Sequence, residues 1–259
     1  MAHTLWLGFM LTRRDLSQRY RGTVLGALWP FLYAGLLLSM FTFVFSLVLN
    51  VRWSAGTDGR PNEGALMIFA GLVPYLFIAE VMTRSASCIT SATNFVKRVR
   101  FPLALLPVVA VNSALVLAAI NALILVAAVG VIWGAVPPTV LALPLIFLPL
   151  AAIGLGLAFL FATLGVFFRD LSQLSPLLAQ LLMFLAPVCY PASAVPAAFT
   201  TAVELNPVTW FVTAFRNLVL DGEMMAAGDL ASHSAGCVLF ALASFAFFQR
   251  TRRSFADLL

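Results

Sequence analysis

The chain has 259 residues, of which 62% are hydrophobic and only 10% charged, and its net charge is +5. A soluble domain carries about 45–50% apolar and about 25% charged residues, so this composition excludes one and specifies an integral membrane protein. The apolar residues run continuously instead of alternating, which excludes an outer-membrane barrel, and the basic residues flank those runs, where they set orientation and do not indicate nucleic-acid binding.

The first element is the stretch before the first apolar run, residues 1–29, which contains RRDLSQRYRGTVLGALW at 13–29. On a helical period Leu5, Phe9, Thr12, Leu16 and Tyr20 share one face, while Arg14, Ser17, Gln18 and Arg21 point away from it. A helix with that pattern lies in the membrane surface. It therefore predicts a surface helix placed to pass force to the span that follows. The first long apolar run begins only near Pro30, which is not the pattern of a cleavable signal peptide.

A spanning helix needs about 20 apolar residues. Six candidates follow: Pro30 to Leu49, Ala65 to about Met82, Leu103 to Ile132, Val140 to Val166, Pro176 to about Tyr190, and Ser234 to Phe248. Between the last two lies PASAVPAAFTTAVELNPVTWFVTAFRNLVLDG, too polar to span and too apolar for a free loop. It predicts a pair of short interfacial or re-entrant helices, the second capped by Thr209. The expected fold is a single all-α membrane domain over 1–259, with six transmembrane helices behind an N-terminal interface helix.

The Lys/Arg bias sets the orientation. One side collects Arg13, Arg14, Arg19 and Arg21, then Arg84, then Lys97, Arg98 and Arg100, then Arg169, and finally Arg250, Arg252 and Arg253. The other side keeps only Arg52, Arg60 and Arg216, mixed with acidic residues. Both termini are therefore expected in the cytoplasm.

The chain carries no P-loop, HExxH, GxSxG or Rossmann glycine pattern. Cys88, Cys189 and Cys237 are scattered, with no metal-ligand spacing, and read as inert thiols; His3 and His233 are far apart. Glu80 and Arg84, four residues apart on the second span, satisfy each other on one helix face, and Asn112 and Asn121 are polar positions in the third. A proton- or sodium-coupled carrier needs more midplane polarity and usually an internal repeat, and a membrane enzyme needs acid, base or metal clusters at one face. Both readings are disfavoured, and the energy source is expected on a partner. Among the glycines, Gly22 with Gly26, and Gly154 with Gly156, read as close-packing positions. Pro102 fits a helix entrance and Asp170 a turn cap.

Six segments occur in an order that resembles the ABC-2-type polysaccharide export permeases: RDLSQRYRGTVLGALWPFL, FAGLVPYLF, NFVKRVRFP, GVFFRDLSQLSPLLAQ, FLAPVCYPASAVP and NPVTWFVTAFRNLVLDG. The O-antigen and teichoic-acid exporters are most similar, the capsule exporters share the layout, and a drug or lipid exporter of this type remains an alternative. The resemblance implies a bacterial inner-membrane permease that forms a homodimer and carries two copies of a separate ATP-binding subunit. ATP and Mg would be used by that subunit, and this chain would bind no cofactor of its own. It implies an interface helix at Arg13–Ala27 and a coupling helix within Ser87–Arg100. The coupling residues would be Arg13, Arg14, Asp15, Leu16, Arg19, Tyr20, Arg21, Thr93, Asn94, Phe95, Lys97 and Arg98. The implied substrate is a lipid-linked polysaccharide that moves through a channel between the two copies.

With 23 Phe, 5 Trp and 4 Tyr, the chain has more aromatic surface than membrane-interface belts need. Aromatic faces stack on sugar rings without fixing one hydrogen-bond pattern, so a polymer can slide along them. Phe31, Tyr33, Phe184, Tyr190, Trp210 and Phe215 are the candidate glycan contacts, although most such rings in a membrane bundle face lipid or neighbouring helices.

Overall fold

A computed structural model describes residues 2–48, 60–92, 102–191 and 194–255. Among them every regular element is helical. α1 is Ala2–Arg19, α2 Trp29–Phe41, α3 Glu63–Ser85, α4 Leu105–Trp133 and α5 Leu143–Phe167. α6 is Leu171–Leu185, α7 Ala197–Glu204, α8 Pro207–Arg216 and α9 Ala227–Thr251.

α1 ends earlier than the expected Ala27. Gly22 takes a left-handed conformation (φ 85°) after Arg19, and the Thr23 hydroxyl donates to the Tyr20 carbonyl at 2.8 Å. Gly26 (φ 50°) then opens a short 3-10 turn into α2, with Pro30 in its first turn. Neither glycine has a neighbour within 4 Å of the place a Cβ would occupy. Gly22 and Gly26 therefore serve the turn and are not close-packing positions.

Among the described residues five helical stretches are long and apolar enough to cross a membrane: Gly26–Val48, Glu63–Ser85, Leu105–Trp133, Pro138–Phe167 and Ala227–Ser254. α6, the expected fifth span, is 15 residues long, roughly 22 Å at the helical rise and shorter than the roughly 30 Å hydrocarbon core. It stops where Ala186 turns extended. α7 and α8 stand where two short helices are expected, but the cap of α8 is Asn206, whose Oδ1 accepts from the Val208 amide at 3.0 Å, and not Thr209.

α3 is the centre of the bundle and packs against α4, α5, α6 and α8. In its most apolar window 78% of residues are buried, against 6% for the Gly26–Val48 stretch and 11% for the last helix. The first and last spans are thus peripheral, with apolar sides left for lipid or another chain. α1 lies on α4, α2 on α3 and α4, and α9 along α5. Two glycines of α5 receive aromatic rings. A Cβ on Gly154 would meet Phe77 of α3 at 2.5 Å, and one on Gly156 would meet Phe240 of α9 at 2.4 Å.

The two ends of the bundle differ. At the basic end Phe255, wholly buried, sits edge-on to Phe167 and Phe248 and joins Ile89 in a small second core. At the opposite end the Arg60 guanidinium lies over the Trp133 ring and donates to the Leu220 carbonyl at 3.2 Å, and the Thr139 hydroxyl donates to the Leu218 carbonyl at 2.6 Å. There too, the buried Arg216 donates to the carbonyls of Met67 (2.9 Å) and Val188 (2.7 Å), which ties α8 to α3 and to the chain after α6.

Candidate functional site

α1 is held to the spans by polar contacts. Its packed face carries Gly8, Thr12 and Asp15; Thr12 belongs to the expected stripe, in which Phe9 is 66% exposed and Leu16 and Tyr20 are half-buried. Asp15 turns inward. Its carboxylate accepts from Arg84 of α3 at 2.5 Å and from the Ser113 hydroxyl of α4 at 2.6 Å. One helical turn on, Arg19 pairs with Glu80 of α3, and Asn112 of α4 donates to the Thr12 hydroxyl at 3.5 Å.

Glu80 and Arg84 do approach each other along α3, at 3.8 Å, but this is the longest contact of the set. Each is bound more closely to α1. The expected pairing within one helix is present and extends into an alternating chain, Arg19–Glu80–Arg84–Asp15, that crosses between two helices. Two cations and two anions balance, which lets four ionised side chains sit only 25–29% exposed at the bundle edge.

Burial pulls the Asp15 carboxyl upward, but hydrogen bonds from Arg84 and Ser113 and the charges of Arg84 and Arg19 outweigh it and hold the group below 3.8. Burial pulls Arg19 down, and the Glu80 contact reverses that, leaving it raised. A carboxyl depressed in the folded state contributes stability above its unfolded value, and this is lost as pH falls through the folded one. α1 is thus expected to stay docked from neutral pH down to the 3.8 of a free aspartate and to loosen only below it, read as acid-dependent exchange of the amides at 8–19. An Asp15→Asn variant should lose that acid dependence.

The other predicted coupling residues divide into two groups. Arg13 and Arg14 are exposed on α1, and Arg21 is exposed in the turn that follows it. Arg14 and Gln18 line a cleft of about 390 Å³ with Arg84, Ser87, Ser91 and Ala92. That places α1 beside the start of the Ser87–Arg100 segment. Thr93, Asn94, Phe95, Lys97 and Arg98 lie outside the described residues. Cys88, in the same place, is a poor nucleophile because burial pushes its thiol up to about 12.

The aromatic candidates separate as well. Phe31 and Tyr33 on α2 and Phe184 on α6 are exposed, and the half-buried Tyr190 donates its hydroxyl to the Phe184 carbonyl at 2.8 Å. Trp210 is half-buried, stacked on His233 and edge-on to Phe211. Phe215 is wholly buried and edge-on to Phe147, so it is a core residue with no face for a polymer. Tyr33 and Asn121 line a cavity of about 420 Å³ together with Arg19, Tyr20 and Glu80, so one aromatic candidate adjoins the charge chain. Sequence reasoning missed Asp15's inward direction and Ser113. The signal was the Gly8–Thr12–Asp15 spacing, a face of small and polar residues beside the apolar one.

The ABC-2 type transporter family matches residues 7–220, from α1 through α8. The chain belongs to that family. It is similar to the O-antigen export system permease protein RfbA of Myxococcus xanthus, 29% identical over 250 residues covering 95% of this chain and 93% of that one. Two proteins of the same name from Klebsiella pneumoniae are 26% identical over 220 residues (83% and 80% of the two chains) and 25% over 254 residues (96% and 93%). This ABC-2 chain thus matches permeases along nearly their whole length, and its α1 network lies inside the matched region.

Proposed function

We propose that the chain is the membrane subunit of an ATP-driven exporter of a lipid-linked polysaccharide, with O-antigen glycan as the substrate. The observation that carries the reading is the match to O-antigen export permeases over 83–96% of this chain, which itself shows no nucleotide-binding motif. Two copies assemble in the inner membrane with both termini in the cytoplasm, and the glycan passes between them. The exposed apolar side of α2 supports such a pairing, because this 23-residue span, 6% buried over its most apolar window, leaves a long surface for a second copy. α6 and the chain to Tyr190 complete a sixth crossing, and α7 and α8 enter from the outer side without spanning.

Two copies of a separate ATP-binding subunit sit at the basic end, where they use ATP and Mg. Their closure pushes on α1 and on the Ser87–Arg100 segment, whose described start, Ser87–Ala92, shares one cleft with α1. The charge chain passes that push to α3, the central helix. Phe31, Tyr33, Phe184, Tyr190 and Trp210 offer ring faces along the glycan's path.

Deleting the gene from its host should leave glycan accumulating on the cytoplasmic side and absent from the surface. Changing Leu16 and Tyr20 together to Glu should leave the spans inserted and the ATPase active while surface glycan disappears. Normal surface glycan from the deletion strain would overturn the substrate, and normal export by the double variant would overturn the lever.

A further inference from the structure

A cleft of about 610 Å³ separates α6 from α9. Ile78 of α3 and Ile153 and Leu157 of α5 form its floor, Leu182 stands on the α6 side, and Gly236 and Phe240 stand on the α9 side. The volume is that of a site for a sizeable organic ligand. No charged residue is among its lining. Its α8 end, by contrast, is polar, with Asn206, Ser232 and His233.

Asn206 is 8% exposed and fixed in place, because its Oδ1 caps α8 through the Val208 amide. Its Nδ2 is buried and has no hydrogen-bond partner among the described residues. A buried amide donor left without an acceptor is costly, so the position favours an acceptor that a ligand supplies. Beside it, His233 stacks on Trp210 at 4.6 Å, and its Nδ1 lies 2.8 Å from the Asp229 carbonyl. A carbonyl oxygen only accepts, so the proton sits on Nδ1 and leaves Nε2 open to a ligand.

We propose that this cleft holds one acyl chain of a membrane phospholipid, whose ester carbonyl accepts the hydrogen bond of the Asn206 amide. Three observations select this occupant. α9 leaves Val238, Leu239 and Leu242 exposed, an apolar surface suited to lipid, and Leu239 is three residues from Gly236 at the cleft. The uncharged lining selects a neutral acceptor, so the phosphate stays outside in water. The polar end lies beside Trp210, whose ring stacks on His233, and indole rings and lipid esters both collect at the membrane–water boundary. The site is independent of which substrate is exported.

The test uses the full chain in vesicles of phosphatidylethanolamine and phosphatidylglycerol, doped with phosphatidylcholine carrying a photoactivatable diazirine in one acyl chain. Irradiation should place lipid adducts on residues 153–157, beneath the cleft, as well as on the exposed 238–242. Gly236→Leu should fill the cleft, since nothing lies within 4 Å of a Cβ there, and should remove the 153–157 adducts while leaving those at 238–242. Asn206→Asp keeps an oxygen to cap α8 but loses the amide donor, and should lower the 153–157 adducts about fivefold, the scale of one net hydrogen bond. Two outcomes would overturn the proposal: no adducts at 153–157 in the unaltered chain, or adducts there indifferent to both variants.

Discussion

Arg84→Gln should free α1 from the bundle and lower export about tenfold or more while ATP hydrolysis by the partner subunit continues. In the structure Arg84 bridges Asp15 and Glu80, so its loss acts on both helices. Glu80 still has Arg19, but Asp15 keeps only the neutral Ser113 at a site where burial already opposes its charge. Removing one partner of such a pair costs more than the pair contributes, because the remaining charge stays desolvated; a loss of about 1.4 kcal/mol is a factor of about ten. Amide exchange at 8–19 should quicken by that factor. Adding Asp15→Asn removes the stranded charge, so the double variant should dock α1 better than Arg84→Gln alone. Unchanged exchange in the single variant would show that the apolar contacts of α1 hold it without the charges. Unchanged export alongside faster exchange would separate docking from force transmission.

The membrane class and the span positions were legible because they depend on run length and composition, which the chain states outright. What escaped depended on partners in space. Glu80 and Arg84 are four apart on a helix, and spacing alone joins them to each other. Only the arrival of α1 diverts them to Arg19 and Asp15. The polar seam of α1 escaped for a related reason. Hydrophobic spacing marks the stripe of Phe9, Thr12, Leu16 and Tyr20 but says nothing of the neighbouring Asp15, which packs because Arg84 and Ser113 of other helices meet it. Phe215 shows the converse. Its type suggested sugar stacking, yet α8 presses against α3 and buries it. The length of α6 was overestimated because the apolar run continues through Ala186–Tyr190, where the backbone is no longer helical.

Gly165→Ala should be the most damaging single methyl addition in α5, because the space for it is filled by main chain. A Cβ at Gly165 would lie 1.9 Å from the carbonyl oxygen of Ala86 and 2.9 Å from its carbonyl carbon. At Gly154 and Gly156 the obstacle is the ring of Phe77 or Phe240, which can rotate. A carbonyl at a helix end cannot turn away without moving the helix. Gly154, Ala158 and Gly165 recur at four- and seven-residue spacings on one side of α5, and all three are buried, so small residues there set how closely α5 and α3 approach. Overpacking of this kind costs about 1–3 kcal/mol and more where backbone must shift. Ala86 caps α3 and directly precedes the segment that faces α1, so the displacement should travel to Ser87–Ala92. Gly165→Ala should therefore lower the apparent melting temperature in detergent by several degrees and weaken binding of the ATP-binding subunit. Gly35→Ala, with nothing within 4 Å, should leave both unchanged. A Gly165→Ala protein as stable as the unaltered chain would show that the α3–α5 crossing can open without disturbing the fold. One that lost stability but still bound the ATP-binding subunit normally would confine the role of Gly165 to packing.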